Sequence, residues 1–254
     1  MSLSVVASHG VPKYPSIEPA GDRCLVIRLG DALTPDVTRQ VHALTACLLA
    51  DMPPGVIDIV PAFTTIALHY RPEALPRAHG SPYRQLEAML QSLLEGGFAD
   101  VEHSGRLIEM PVCYGGEYGP DLEDVASKCN MSTDAVIALH SSVELTVLTF
   151  YFSPGNPFAG PVDPRLAVKR RNTPRTHVEA GSIAIANGLS TVYQVASPGG
   201  WNILGRTPWS MFDLRWMPPT RFVLGDRLRF VPISPQEFVK LDERRPRQNE
   251  RVTP

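Results

Sequence analysis

Residues 197–208 read SPGGWNILGRTP, which places three glycines and two prolines around one tryptophan and one arginine. A plain turn requires only one or two glycines. The stretch therefore indicates either a tight hairpin that stabilises a β-barrel or the wall of a pocket. These residues alone leave both interpretations open.

Short strand patterns lie on both sides of this stretch. Residues 144–152, 182–197 and 221–233 are rich in β-branched and aromatic residues and are separated by glycine and proline turns. Several short strands with such turns are typical of an antiparallel barrel. Two short helices, at residues 121–130 and 132–142, are expected ahead of these strands.

The first hundred residues follow a different pattern. Residues 23–31 and 56–70 read as strands, the second run broken at Pro61. Residues 34–53 and 82–97 repeat apolar side chains at helical spacing, as expected for helices that cover a sheet. This order predicts a small α/β sandwich.

The predicted fold class is therefore α+β. We expect the N-terminal sandwich over residues 1–100, the β-barrel domain over 101–240 and a flexible, charged tail over 241–254. The boundary between the two domains is expected near residues 98–105.

Composition excludes several classes of protein. The chain has 254 residues, 43% hydrophobic and 20% charged, with a formal net charge of −2. This net charge does not favour binding to nucleic acid or to anionic membranes. No apolar run approaches the roughly 18 residues of a membrane span, and no signal peptide is recognised. Four widely spaced cysteines give no metal or redox motif. We expect a cytoplasmic protein without a metal site.

The strongest charge feature is RLAVKRRNTPRTH at residues 165–177, which contains six basic or histidine side chains and no acidic one. Such a cluster favours a carboxylate, phosphate or acidic partner surface. A solvated loop with scattered cations is the alternative. Nucleic acid is a poor candidate because no aromatic residues are interleaved with the charges.

Two other segments leave their alternatives open. YGGEYGPDLEDVA (114–126) precedes a helix start, but its acidic residues complement the helix dipole and would repel a phosphate. It therefore reads either as a structural turn or as a pocket lining. His140, near the end of its helix, could be a general base or could interact with the last helical carbonyls.

Four segments together resemble one protein family. They are IEMPVCYGGEYGPDLEDVA (108–126), FYFSPGNPFAGPVDPRLAVKRRNTPR (150–175), the run at 178–213 that contains SPGGWNILGRTP, and the weaker VPAFTTIALHY (60–70). This family contains the kinase inhibitor KipI, the B subunit of bacterial ATP-dependent 5-oxoprolinase and allophanate hydrolase subunit 1. The same module forms part of the carboxyltransferase domain of urea carboxylase.

The resemblance implies a cyclophilin-like barrel in a protein that is not active alone. Its partners would be the KipA-type C subunit and the A subunit of 5-oxoprolinase, with ATP used by the complex to open 5-oxoproline to glutamate. The substrate would be a small carboxylate or amide. The implied catalytic residues are His140 and Arg171. The implied substrate-binding residues are Pro154, Gly155, Arg170, Arg175, Ser197, Gly199, Gly200 and Arg206.

Three departures from the family pattern concern the expected pocket. They are Leu145 in place of a tyrosine, the sequence YFSPGNPF at 151–158, and NGLST at 187–191. Because the loss of a glutamine and of a tyrosine hydroxyl changes the hydrogen-bonding capacity of the expected pocket, the exact substrate stays open. The alternatives are a KipI-like inhibitor of a sensor histidine kinase and a carboxyltransferase component that acts with biotin. Peptidyl-prolyl isomerase activity rests on fold alone and is weakly supported.

Overall fold

The computed structural model describes residues 14–76, 80–98 and 105–242. The chain divides into two compact units on either side of residue 103. Part of the expected boundary at 98–105, and the expected tail from residue 243 onward, lie outside the described residues.

The first unit is a four-stranded antiparallel sheet covered by two helices. Its strand order is β1-β2-β4-β3. Leu25, Ile27, Ile66 and Leu68 are fully buried and share one core with the inward residues of the helices, among them Leu44. The elements are β1 Ser16–Pro19, β2 Cys24–Arg28, α1 Pro35–Ala50, β3 Val56–Pro61, β4 Thr65–Tyr70 and α2 Pro82–Gly96.

Local sequence sets where the helices of this unit begin. The hydroxyl of Thr34 accepts a hydrogen bond from the Val37 N–H, and Ser81 caps α2 through the Arg84 N–H in the same way. In both helices a proline follows the cap. It takes the first helical position, which needs no N–H.

The second unit is a closed seven-stranded barrel with helices on its surface. The order around the barrel is β10-β7-β6-β13-β5-β12-β9. A separate two-stranded sheet joins β8 and β11. The elements are β5 Leu107–Tyr114, α3 Leu122–Lys128, α4 Thr133–Ser142, β6 Leu145–Phe150, β7 Pro157–Gly160, β8 Arg175–Val178, β9 Ser182–Ala186, β10 Leu189–Val192, β11 Ser197–Gly199, β12 Asn202–Arg206, β13 Arg227–Pro232 and α5 Pro235–Leu241.

The predicted α+β fold class is confirmed, with one difference in strand direction. β5 and β13 run parallel, with Met110 opposite Phe230, whereas the other barrel pairs are antiparallel. Both side chains are buried in the barrel core. A parallel pair between distant segments carries no local turn signal, so the sequence pattern did not indicate it.

Candidate ligand-binding site

The residues from Ser197 to Arg206 belong to two different sheets. β11 pairs with β8, with Gly199 opposite Arg175, whereas β12 lies in the barrel between β5 and β9. β11 and β12 do not pair with each other, so the hairpin considered for this stretch is not formed. The turn at Gly200 carries the chain from the small sheet into the barrel wall, and this stretch also forms a pocket wall.

A pocket of about 280 Å³ is lined by residues of β7, β10 and β11 and of the adjoining connections. This volume lies near the lower end of the range for small-molecule sites. Most of its surface is apolar and comes from Phe152, Phe158, Val195, Pro198 and Trp201.

Aromatic rings dominate the apolar side of the pocket. Trp201 is 8% exposed, and its ring meets the edge of Phe158 at a centroid distance of 5.3 Å and an angle of 89°. Phe152 lies 6.2 Å from Phe158 and is 80% exposed. The backbone φ of Phe152 is +71°, a conformation that bulky residues rarely adopt and that is enriched at functional sites.

Polar side chains occupy the rest of the lining. Those of Ser153, Arg170, Gln194 and Ser197 form no hydrogen bond or ion pair with any residue in 14–76, 80–98 or 105–242. Their donors and acceptors are therefore available to a ligand.

Two further lining residues hold the pocket wall in place. The Thr191 hydroxyl donates to the carbonyl of Pro157 at 2.8 Å. The Asn156 amide donates to the carbonyl of Tyr151 at 2.8 Å and accepts from the backbone N–H of Gln194 at 3.3 Å. These bonds fix the loop before β7 against the segment that follows β10.

Tyr193 places a phenol in the lining. The backbone N–H of Trp201 donates a hydrogen bond to its oxygen, and burial raises its pKa despite the lowering effects of Arg170 and Arg175. The hydroxyl therefore keeps its proton at neutral pH and can donate it to a ligand oxygen. Gly199 makes this position possible, because a Cβ there would lie 2.2 Å from the phenolic oxygen.

Asp121 is the centre of a buried ion-pair hub next to the basic segment. It is 1% exposed and accepts from Arg171 Nη1 at 2.5 Å and from Arg175 Nη1 and Nη2 at 2.8 and 2.7 Å. It also accepts from the backbone N–H of Ile203 at 2.8 Å. The bond to Asp121 raises the pKa of Arg175. A carboxylate with this many charge-assisted donors is strongly fixed.

The turn before α3 brings Asp121 to this position. Gly115 N–H donates to the carbonyl of Leu204, and Asp121 N–H donates to the carbonyl of Ile203, both at 3.0 Å. A Cβ on Gly119 would lie 1.9 Å from the Leu204 oxygen, so only glycine allows this approach. The segment 114–126 is therefore a structural turn in this chain, and Asp121 pairs with arginines rather than capping α3.

The hub divides the arginines that the sequence grouped together. Arg171 and Arg175 share one carboxylate, with side-chain exposures of 31% and 26%. Arg170 is exposed, lines the pocket and belongs to no ion pair within the described part of the chain. The expected anion-binding role thus fits Arg170, whereas Arg171 and Arg175 are engaged by Asp121.

Arg206 lies apart from these residues. It neither lines the pocket nor bonds to Asp121, and its guanidinium lies 5.8 Å from the ring centroid of Tyr118. Its Nε is buried without a hydrogen-bond partner among the described residues. Arg206, which the resemblance implied as a substrate-binding residue, is therefore not part of the lining that contains Arg170.

His140 is a core residue. It is 0% exposed, stacks on Phe230 at 4.4 Å, and bonds through Nδ1 to the Tyr114 hydroxyl at 2.8 Å and through Nε2 to Ser190 Oγ at 3.3 Å. Burial lowers the pKa of His140 to about 3. A buried, neutral and doubly bonded imidazole does not fit the expected catalytic base, because it cannot reach a ligand in the pocket.

The remaining predicted residues fall into two groups. Ser197 and Gly199 line the pocket. Gly200 is buried and its carbonyl accepts from the Arg171 N–H at 2.7 Å, while Pro154 is exposed and Gly155 packs against the Met211 backbone. These three lie outside the lining and shape the backbone around it.

The three departures from the family pattern lie in different parts of the barrel unit, one in its core and two at the pocket. Leu145 is fully buried in the barrel core, away from the pocket lining. Residues 151–158 supply the aromatic side of the pocket, and Thr191 in the segment 187–191 supplies part of its floor.

Sequence reasoning did not assign Tyr193 or Asp121 to the site. The aromatic content of 151–158 was the signal that could have located the apolar wall.

No group of histidine, cysteine and acidic residues within 14–76, 80–98 and 105–242 is arranged to hold a metal ion. Over the same residues, no helix has the length and apolarity needed to cross a bilayer.

Comparison with known proteins finds a matching family and similar relatives. The family model "Carboxyltransferase domain, subdomain C and D" matches residues 15–222. The B subunit of 5-oxoprolinase from Bacillus subtilis (strain 168) is 37% identical over 226 residues, covering 87% of this chain and 94% of the relative. The B subunit of the same enzyme from Escherichia coli O157:H7 is 38% identical over 215 residues, covering 84% and 93%.

A solved structure gives the same result for the fold. The crystal structure of TTHA0988 superposes with a TM-score of 0.71 and 33% identity over 84% of this chain, which spans 40% of that longer chain. The elements of the first unit and the segments that form the pocket fall within the range that the family model matches, whereas β13 and α5 of the second unit lie beyond it. The chain belongs to the family of carboxyltransferase domains, subdomains C and D.

Proposed function

We propose that this chain is the B-type subunit of an ATP-dependent amide-hydrolysing complex. The complex would open 5-oxoproline to glutamate or hydrolyse a related cyclic or linear amide. Its partners would be the A subunit and the KipA-type C subunit of 5-oxoprolinase, with ATP bound at the level of the complex and the assembly located in the cytoplasm. The observation that carries this proposal is 37% identity to the B subunit of a 5-oxoprolinase over 94% of its length.

The pocket supports binding rather than independent catalysis. Arg170 can pair with a carboxylate, and the Tyr193 hydroxyl can donate to an amide oxygen. Ser153 and Ser197 lack the neighbouring base that would activate a hydroxyl, since no histidine or carboxylate among the described residues lines the pocket. Bond cleavage would therefore depend on groups from the partner proteins.

Reconstitution tests this proposal. The purified chain is mixed with its A-type and C-type partners, and phosphate release from ATP is measured with and without 5-oxoproline. We expect amide-dependent ATP hydrolysis only when all three chains are present. Turnover that is unchanged when this chain is omitted would contradict the proposal.

The matched family favours a second candidate, a carboxyltransferase component. Such a component would require a biotinyl lysine on a carrier protein. Avidin separates the two functions, because it would block amide-dependent ATP hydrolysis that passes through biotin and leave a hydrolase unaffected. Inhibition by avidin would favour the carboxyltransferase.

A further inference from the structure

The aromatic side of the pocket exceeds what a small polar ligand needs. A cavity of about 150 Å³ is enough to hold a benzene ring, and the pocket measures about 280 Å³. There is therefore space for one ring and a polar group of similar size. Phe152, Phe158 and Trp201 all lie in the lining, so the ring would contact aromatic faces and edges.

Phe152 adds a specific reason to expect an apolar ligand group. The residue lines the pocket yet is 80% exposed, and its backbone is held at a φ of +71°. The Asn156 bonds to Tyr151 and Gln194 anchor the same loop. A ligand ring between this loop and Trp201 would remove exposed aromatic surface from water.

The polar groups define the opposite part of the ligand. Arg170 is the cation in the lining, whereas Arg171 and Arg175 lie outside it and are held by the carboxylate of Asp121. The side-chain amide of Gln194 has no hydrogen-bond partner among the described residues and is therefore available to a ligand. The backbone N–H of Trp201 donates a hydrogen bond to the Tyr193 hydroxyl oxygen and so orients that hydroxyl. One cation with neutral donors fits a single carboxylate beside an amide.

We infer that the pocket binds an amide-bearing carboxylate that also carries an aromatic or similarly bulky apolar ring, a larger class of ligand than 5-oxoproline. The amide rests on the proposed function, whereas the carboxylate and the ring rest on Arg170 and on the aromatic wall. Phe152 is then a specificity residue for the ring, and Arg170 is the carboxylate ligand.

Titration calorimetry with four probes tests each part of this ligand on the purified full chain. Benzoylglycine carries the ring, the amide and the carboxylate. Acetylglycine lacks the ring, benzoylglycinamide lacks the charge, and 5-oxoproline is the small lactam acid. We expect benzoylglycine to bind at least tenfold more tightly than each of the others.

Variants assign the effect to residues. Phe152→Ala should weaken benzoylglycine at least fivefold and leave acetylglycine unchanged, while Leu214→Ala, an 82% exposed apolar residue outside the lining, should change neither. Arg170→Gln should weaken benzoylglycine at least tenfold and leave benzoylglycinamide unchanged. Lys169→Gln is the matched control, because it removes an exposed cation outside the lining.

The outcomes separate this inference from the proposed function. Equal affinity for benzoylglycine and acetylglycine, or no loss in Phe152→Ala, would overturn the inference even if the complex hydrolyses ATP with 5-oxoproline. Ring-dependent binding in a chain that supports no amide-dependent ATP hydrolysis would uphold the pocket assignment and reject the proposed function.

Discussion

Replacing Asp121 with asparagine removes the carboxylate that Arg171 and Arg175 share. The side chain of Asp121 is 2% exposed, and those of the two arginines are 31% and 26% exposed. Breaking a fully buried ion pair by removing one partner costs about 3–5 kcal/mol. Because water can reach both guanidinium groups, the cost is smaller here, and we expect the free energy of unfolding to fall by about 2–3 kcal/mol.

Urea denaturation followed by tryptophan fluorescence measures this loss. All three tryptophans of the chain, at positions 201, 209 and 216, lie in the second unit, so the signal reports the barrel unit alone. Asp124→Asn, in the first turn of the helix that follows Asp121, is the matched control. Asp124 is 48% exposed and pairs with Lys128, and a surface pair of this kind contributes less than about 1 kcal/mol. An Asp121→Asn variant as stable as Asp124→Asn would refute the buried hub.

Two further predictions concern the barrel core and the pocket. Burial lowers the pKa of His140 from 6.5 to about 3, so the unfolded chain takes up a proton that the folded chain does not. Stability should fall as the pH drops from about 6.5 toward 3, by at most about 1.4 kcal/mol per pH unit from this residue. Urea midpoints should depend less on pH in His140→Gln, and equal slopes would contradict the assignment. Gly199→Ala should displace the Tyr193 phenol, 2.2 Å from the added Cβ, and weaken benzoylglycine at least fivefold by calorimetry. Gly200→Ala, with contacts at 3.5 Å, should bind within twofold of wild type, and equal losses in both variants would argue against the phenol.

Local signals predicted much of the fold. Ser132 accepts from the Ala135 N–H at the start of α4, as a serine before an apolar helical run predicts. β3 ends at Pro61, where the strand pattern in the sequence is broken, and β4 begins at Thr65, shortly after this break. Residues that lie close together in the chain determine these features.

Pairings between distant segments were not predictable in this way. Asp121 binds Arg171 and Arg175, which are 50 and 54 positions away. An aspartate at the start of a helix fits the helix dipole equally well, so its sequence position does not reveal its partners. The Gly199–Gly200 pair likewise suggested a local hairpin. In the structure, β11 pairs instead with β8, a strand that begins in the basic segment.

The position of His140 could have been recognised from spacing. Val136 and His140 are one helical turn apart and are both fully buried on the inward face of α4. A histidine in phase with an apolar face is more consistent with the core than with a solvent-accessible base. By contrast, no feature of the sequence distinguishes Arg170, which lines the pocket, from Arg171, which does not.

The measurement that tests the central claim most directly is the apparent KM for the amide substrate in the reconstituted complex. It would compare the wild type with Arg170→Gln and Lys169→Gln. The account predicts that Arg170→Gln raises this KM at least tenfold because a carboxylate contact is lost, whereas Lys169→Gln leaves it unchanged. Equal KM values for all three proteins would contradict the assignment of the pocket as the substrate site.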